Sequence, residues 1–258
     1  MEFRPCIDIH NGKVKQIVGG SLQDLGNRAE ENFVAQQDAA FFARMYREAG
    51  IKGGHIILLN PEGSEYYPDT KMQAVAALRA YPGGMQVGGG ITEDNAGEFL
   101  DAGASHVIVT SYVFQDGRIR FDRLDRLKNK IGKERLVLDL SCKKTEKGYL
   151  IVTDRWQKLT EERVEEPLLE RLSCYCDEFL IHAVDVEGRA EGIEKELAAL
   201  LGTWEGKPMT YAGGVQCYED LELLRRLGNN RLNVTVGSAL DLFGGPLKWQ
   251  RVLEICGE

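Results

Sequence analysis

The chain has 258 residues, with 32 Lys plus Arg against 40 Asp plus Glu, for a net charge of −8. At 43% hydrophobic and 28% charged the composition is that of a folded globular protein, and the absence of low-complexity tracts excludes disorder. The longest unbroken apolar run is five residues, as in Ala39–Ala43; a membrane span needs roughly 18–20, and no Lys/Arg cluster outweighs the acidic surface to hold nucleic acid.

Along the chain, short apolar runs alternate with longer stretches of helical period. A strand is predicted over Phe3–Ile9 and a helix over Asp38–Gly50, where the apolar residues of Ala39–Ala49 face one side and Gly50 supplies a stop. A second strand, His55–Asn60, precedes a helix at Pro68–Tyr81, and a third, Met85–Gly88, precedes one at Asp94–Gly103. The fourth pair is His106–Thr110 and Phe121–Ile131, the fifth Arg135–Asp139 and Thr160–Cys176, the sixth Glu178–Val184 and Ile193–Leu201. Pro208–Ala212 with Tyr218–Gly228, and Leu232–Val236 with a helix from about Pro246 to Ile255, complete the series.

Eight strand–helix units in this length predict α/β construction as a closed (β/α)8 TIM barrel, a single domain over residues 1–258. An open doubly wound sheet would want G-x-G-x-x-G after the first strand, where the chain has Asp8-Ile-His-Asn-Gly-Lys13. An internal repeat supports the barrel. Asp8 in Ile7-Asp8-Ile9 is matched by Asp139 in Leu138-Asp139-Leu140, Gly89-Gly90 by Gly213-Gly214, and Thr110-Ser111 by Gly237-Ser238. The offsets are 131, 124 and 127 residues, close to half the chain, so two similar halves are expected, about 1–131 and 132–258.

In such a barrel the active site lies at the C-terminal strand ends, and the loops after strands seven and eight commonly bind phosphate. Gly213, Gly214, Gly237 and Ser238 occupy those loops; the repeat places a second phosphate site at Gly89, Gly90, Thr110 and Ser111. Glycine turns expose backbone N–H groups and, with helix N-termini, bind phosphate without a cationic side chain. Either pair alone could equally serve close strand–helix packing; both together favour an elongated ligand with a phosphate at each end. Asp8 and Asp139 would face each other between those sites, an arrangement suited to proton transfer with one acid and one base. Alternatively, each caps its loop or pairs with Lys13, Lys143 or Lys144. His182, near the end of strand six, is by itself more often the mark of a satisfied core residue. His10 reads as a loop residue, and His55 and His106 as core residues that introduce strands. No spacing of His, Asp, Glu and Cys suggests a metal, and neither G-x-S-x-G nor a P-loop occurs.

The six cysteines are irregularly spaced, and Cys174-Tyr-Cys176 lacks a second pair, so reduced thiols are expected rather than disulfides or zinc. The start Met-Glu-Phe-Arg-Pro resembles neither a signal nor a transit peptide, and a cytoplasmic location is expected.

Arg4-Pro-Cys-Ile-Asp-Ile-His-Asn-Gly-Lys13, Val87-Gly-Gly-Gly-Ile91, Leu136-Val-Leu-Asp-Leu140, Tyr211-Ala-Gly-Gly-Val215 and Val236-Gly-Ser-Ala239 follow in order. Together they resemble the histidine-biosynthesis barrels over essentially the whole chain, with the ProFAR isomerase family the best match. That resemblance implies a cofactor-free Amadori rearrangement of a bis-phosphorylated aminoaldose to an aminoketose. Asp139 would protonate the furanose oxygen and open the ring, and Asp8 would take the C2 proton. Leu58-Leu-Asn60, Thr92 and His182-Ala183 depart from the commoner bacterial pattern and look like the fungal and plant branch. They give His182 a site role, hydrogen-bonding the reacting oxygen or the Asp139 side. Trp156 matches a family tryptophan that stacks on the imidazole.

The cyclase of imidazole glycerol phosphate synthesis shares the symmetry, phosphate sites and aspartates, but strand six lacks its Ser/Thr-Asp-rich turn. An isomerase that also accepts phosphoribosylanthranilate would use identical chemistry, and a non-catalytic phosphosugar-binding barrel should have lost a carboxylate. The expected partner is a bis-phosphorylated small molecule, with no nucleic acid, membrane or obligate protein partner. The charge of −8 is compatible with such a ligand if backbone amides bind its phosphates at short range, with Lys13 and Arg155 assisting at the rim.

Overall fold

The computed structural model describes residues 1–17, 21, 30–154, 156–188 and 191–257. Eight parallel strands form its centre: β1 (Cys6–His10), β2 (Gly54–Leu58), β3 (Met85–Gly88), β4 (Val107–Val109), β5 (Leu136–Asp139), β6 (Glu178–His182), β7 (Met209–Ala212) and β8 (Leu232–Thr235). They are hydrogen-bonded in sequence order from β1 to β8. Closure comes from the chain start: Arg4 N donates to Val234 O at 2.8 Å, Val234 N donates to Glu2 O at 2.9 Å, and Phe3 bridges Val234 in parallel. A TIM barrel results, as the eightfold alternation predicts.

Helices α1 (Ala39–Glu48), α2 (Tyr67–Ala80), α3 (Ala96–Asp101), α4 (Phe121–Ile131), α5 (Glu166–Ser173), α6 (Lys195–Gly202), α7 (Tyr218–Leu227) and α8 (Trp249–Gly257) pack outside it. The apolar stripe of α1 shows why. Ala39, Phe42, Ala43 and Tyr46 recur at helical spacing and are buried, while the Asp38 carboxylate accepts from Phe41 N at 2.7 Å and caps the first turn. Fully burying a ring such as Phe42 contributes about 2 kcal/mol.

The barrel interior is layered. Near the N-terminal strand ends, Glu178 accepts from Gln86 Nε2 at 3.0 Å and Thr210 Oγ1 at 2.6 Å, with Arg4 at 3.7 Å. Above lies a separate apolar layer of Ile108, Val137, Leu180 and Ala212, with Ile57 against it. The polar floor and apolar layer serve stability, leaving the C-terminal strand ends for chemistry.

The fifth helix, Glu166–Ser173, is shorter than the predicted Thr160–Cys176. Thr160 to Arg163 belong to a strand, Lys158–Arg163, in a three-stranded antiparallel sheet with Cys142–Thr145 and Gly148–Thr153. Thr160 is buried and donates through Oγ1 to Ile151 O at 2.9 Å, so pairing overrides local propensity. The helix starts only at Glu166-Pro167, where proline is tolerated in the first turn. A hairpin of Lys13–Ile17 and Glu31–Val34 likewise extends from β1. His10, expected in a loop, is the buried last residue of β1.

Candidate active site

The repeated glycine turns end β3 and β7, and their conformations explain the residue choice. Gly89 has φ +98°, and a Cβ there would lie 2.1 Å from Leu58 O; Gly213 has φ +120°, and its Cβ would lie 2.9 Å from Ala183 O. Only glycine fits both. The two turns lie on two cavities. The larger, about 470 Å³, is lined by Gly89, Gly90, Thr110 and Ser111 together with Asp8, Asp139, Trp156 and His182. A smaller cradle is lined by Gly213, Gly214, Gly237 and Ser238. His182 and Glu187 line both, so the two cavities are neighbours.

The residues that follow the two hydroxyl positions form short structures rather than long helices. Ser111–Val113 is a single 3-10 turn, Ser238 lies in a turn, and α8 begins only at Trp249. The groups these turns present to the cavities are therefore turn amides more than helix N-termini. Thr110 and Ser111 are also engaged: Thr110 Oγ1 donates to Asp139 Oδ2 at 3.3 Å, and Ser111 Oγ accepts from Asp154 N at 2.9 Å.

Asp139, the last residue of β5, is buried and heavily solvated by the protein. Its Oδ1 accepts from Ser141 N at 2.8 Å and Ser141 Oγ at 2.7 Å, with His182 Nδ1 at 3.5 Å. Burial pushes its carboxyl up, but the charge and hydrogen bond of His182 and the two Ser141 donors outweigh that and hold it below the ordinary range. For His182, burial acts downward and is outweighed by Asp139, then Glu187 and Asp8, leaving the imidazole at about 9. Asp8 has no such donor among the described residues. Burial and then the Glu187 carboxylate raise it to about 7, against a smaller opposing effect of His182. The two aspartates are thus driven apart, Asp8 upward and Asp139 downward.

Aromatic rings frame His182. Trp156, at φ +68°, lies with its ring 5.7 Å from the imidazole and tilted by 50°. His55 meets it edge-on at 6.0 Å and is held neutral, at about 3, by burial and by His182. His55 therefore lines the large cavity, whereas the sequence suggests only a core residue.

Of the predicted residues, Asp8, Asp139, His182, Trp156, both glycine pairs, Thr110, Ser111 and Ser238 come together at the mouth. Lys13 does not: it is exposed at the start of the hairpin and lines neither cavity. Arg155 lies outside the described residues. Three participants escape a reading by residue type. Ser141 stands two residues beyond Asp139, where only the carboxylate draws attention. Glu187 lies in the polar turn after β6, with Oε2 buried and without a hydrogen-bond partner among the described residues. Asn60 is buried and accepts from Asn11 N at 2.8 Å and Thr70 Oγ1 at 2.7 Å, fixing the turn after β1. Among the described residues no group of His, Cys, Asp and Glu could hold a metal ion.

Residues 2–245 match the family described as Histidine biosynthesis protein. Over 257 residues the chain is 52% identical to a chloroplastic 1-(5-phosphoribosyl)-5-((5-phosphoribosylamino)methylideneamino)imidazole-4-carboxamide isomerase of Medicago truncatula, covering 98% of this chain and 81% of that one. Isomerases of the same name from Yarrowia lipolytica, 45% identical over 95% of this chain and 93% of theirs, and Neurospora crassa, 44% over 94% and 93%, are similar along nearly their whole lengths. The barrel, the paired site and these likenesses agree: the chain belongs to the histidine-biosynthesis protein family.

Proposed function

We propose that the protein is the aldose–ketose isomerase of histidine biosynthesis that converts ProFAR, the aminoaldose named in its relatives, to its phosphoribulosyl form by acid–base catalysis. The observation that carries this reading is a pair of neighbouring cavities, one holding Gly89-Gly90 with Asp8 and Asp139 and the other Gly213-Gly214, that share His182 and Glu187. A substrate with a phosphate at each end would span the two, its reacting ribose held between the carboxylates.

On the Asp139 side a proton is delivered to the furanose ring oxygen as the C1–O bond breaks, and the exocyclic nitrogen lone pair forms a Schiff base. Asp8, ionised above about 7, takes the C2 proton, giving an enolamine. Loss of the C2 hydroxyl proton and return of a proton to C1 yield the ketone. The steps balance within the substrate, so no cofactor or metal is invoked. Trp156 is assigned to stacking on the imidazole of the substrate, the glycine turns with Thr110, Ser111 and Ser238 to the phosphates, and Lys13 to long-range attraction at the rim.

The domain reading belongs to the same proposal: one barrel over 1–258 made of halves at about 1–131 and 132–258. It is supported by the equivalent ends of β1 and β5, β3 and β7, and β4 and β8 that the repeated residues occupy. No helix among the described residues is long and apolar enough to cross a membrane. Neither nucleic acid nor an obligate protein partner enters the scheme. A cytoplasmic location, supported by six free cysteines, is tested by cell fractionation, with an organellar location of the kind named for the Medicago relative as the contrary result.

The function is tested by assaying purified protein with ProFAR, phosphoribosylanthranilate and the cyclase's substrate in parallel. Turnover of ProFAR is expected; turnover of the cyclase's substrate alone would reject the reading.

A further inference from the structure

The hydrogen bonds around Asp139 leave its carboxyl ill-suited to carry the transferred proton. Oδ1 accepts from Ser141 N and Ser141 Oγ at 2.8 and 2.7 Å, and Oδ2 accepts from Thr110 Oγ1 at 3.3 Å. The Ser141 amide fixes Oδ1 as an acceptor and the Thr110 hydroxyl engages Oδ2, so neither carboxyl oxygen of Asp139 is without a protein partner and free to face a substrate. His182 stands differently. Its Nδ1 faces Asp139 Oδ1 at 3.5 Å and Ser141 Oγ at 3.3 Å, while Nε2 makes no hydrogen bond to a described residue and the ring lines both cavities.

We propose that His182, as an imidazolium whose Nδ1 side is anchored by ionised Asp139 and Ser141, is the group that protonates the furanose oxygen through Nε2. Asp139 then acts as counter-ion and positioning residue, not as the direct acid. This rests on the isomerase reading above and assigns its acid.

The surroundings of His182 support that charge state. Asp139 from β5, Asp8 from β1 and Glu187 from the turn after β6 all favour the imidazolium; burial alone opposes it. Among the described residues the other titratable neighbour, His55 on β2, is neutral and adds no competing charge. The proton balance closes. The Nε2 proton moves to the ring oxygen as the C1–O bond breaks and its electron pair stays on oxygen, leaving His182 neutral. When the enolamine becomes the ketone, the C2 hydroxyl proton restores the imidazolium and Asp8 returns its proton to C1. Ser141 holds both members of the pair, so its removal should disturb them together.

The test pairs a pH profile with a direct observation of the proton. Wild-type turnover of ProFAR should be similar at about pH 7 and pH 9, between the Asp8 and His182 limbs. In Asp139→Asn the imidazole loses its counter-ion and moves from about 9 toward an ordinary value of about 6.5, so activity should persist near pH 7 and fall more than about tenfold by pH 9. His182→Gln should lose turnover across the range. If Asp139 is itself the acid, Asp139→Asn that still binds ProFAR will be equally inactive at every pH, and the proposal is overturned. Because the chain has 4 histidines, nitrogen-15 NMR of the wild-type protein can resolve His182. A doubly protonated ring at about pH 7.5 is expected, and a neutral ring overturns the proposal whatever the variants do. Failure of the wild type to turn over ProFAR at all would instead reject the isomerase reading.

Discussion

His182 Nδ1 lies 3.5 Å from Asp139 Oδ1, and Ser141 Oγ touches both, at 3.3 Å from the imidazole and 2.7 Å from the carboxylate. This triad fixes a positive ring beside a carboxylate on one side of the cavity. Across it, Asp8 carries a carboxyl raised to about 7. In the proposed scheme the base, Asp8, ionises near 7 and the acid, His182, holds its proton to about 9, so both are in their working forms between those values.

The pH dependence of kcat/KM should therefore be bell-shaped. Activity should fall below about 7 as Asp8 takes up a proton, and above about 9 as His182 loses one. A steady-state profile with its maximum near pH 8 is expected; activity that is greatest at about pH 5 would contradict both assignments.

Glu187 sets part of that window. Its charge raises Asp8 and also His182, so Glu187→Gln should move both limbs to lower pH. Fitting the two limbs for the variant and the wild type checks this. An unchanged profile would show that Glu187 does not act on either group.

Asp8 should cost stability in proportion to its function. A carboxyl raised from 3.8 to about 7 by folding opposes the folded state, and this opposition grows as pH rises from about 4 through 7. Replacing it by a neutral group should raise Tm at about pH 8, by roughly 2–4 °C for about 1 kcal/mol in a domain of this size. Thermal unfolding of Asp8→Asn at pH 8 and pH 4 measures it, and the gain should shrink at the lower pH.

The two adjacent glycines before β4 should respond differently to alanine. A Cβ at Gly89 would meet Leu58 O at 2.1 Å with φ +98°, whereas Gly90, at φ +72°, has nothing within 4 Å. Gly90→Ala should cost about 1–2 kcal/mol of strain alone. Gly89→Ala must also displace backbone, and denaturant unfolding should show a loss larger than that, with weaker ligand binding because the turn shifts.

Much of this was legible in the sequence. Period and punctuation located all eight barrel strands, because parallel strands buried on both faces read as short apolar runs between helices. Asp8 and Asp139 stood out through their repeat, and so did the glycine pairs. The antiparallel excursion after β5 was hidden. Thr160 to Arg163 is charged enough to pass for an exposed helix face, and its strand exists only through pairing with Gly148–Thr153. Ser141 and Glu187 were hidden for another reason. Neither residue type signals chemistry on its own, and their meaning lies in distances to Asp139 and Asp8. His55 shows the same limit: a buried strand histidine becomes a site residue only when His182 arrives from across the barrel.

The most direct test of Asp8 as the base that takes the C2 proton is ProFAR turnover by Asp8→Asn at about pH 8, with the dissociation constant for ProFAR measured alongside. Turnover should fall by about 10²–10⁴-fold, the usual contribution of a general base, while affinity stays within a few-fold because the phosphate turns are untouched. Near-wild-type turnover by Asp8→Asn would contradict the account.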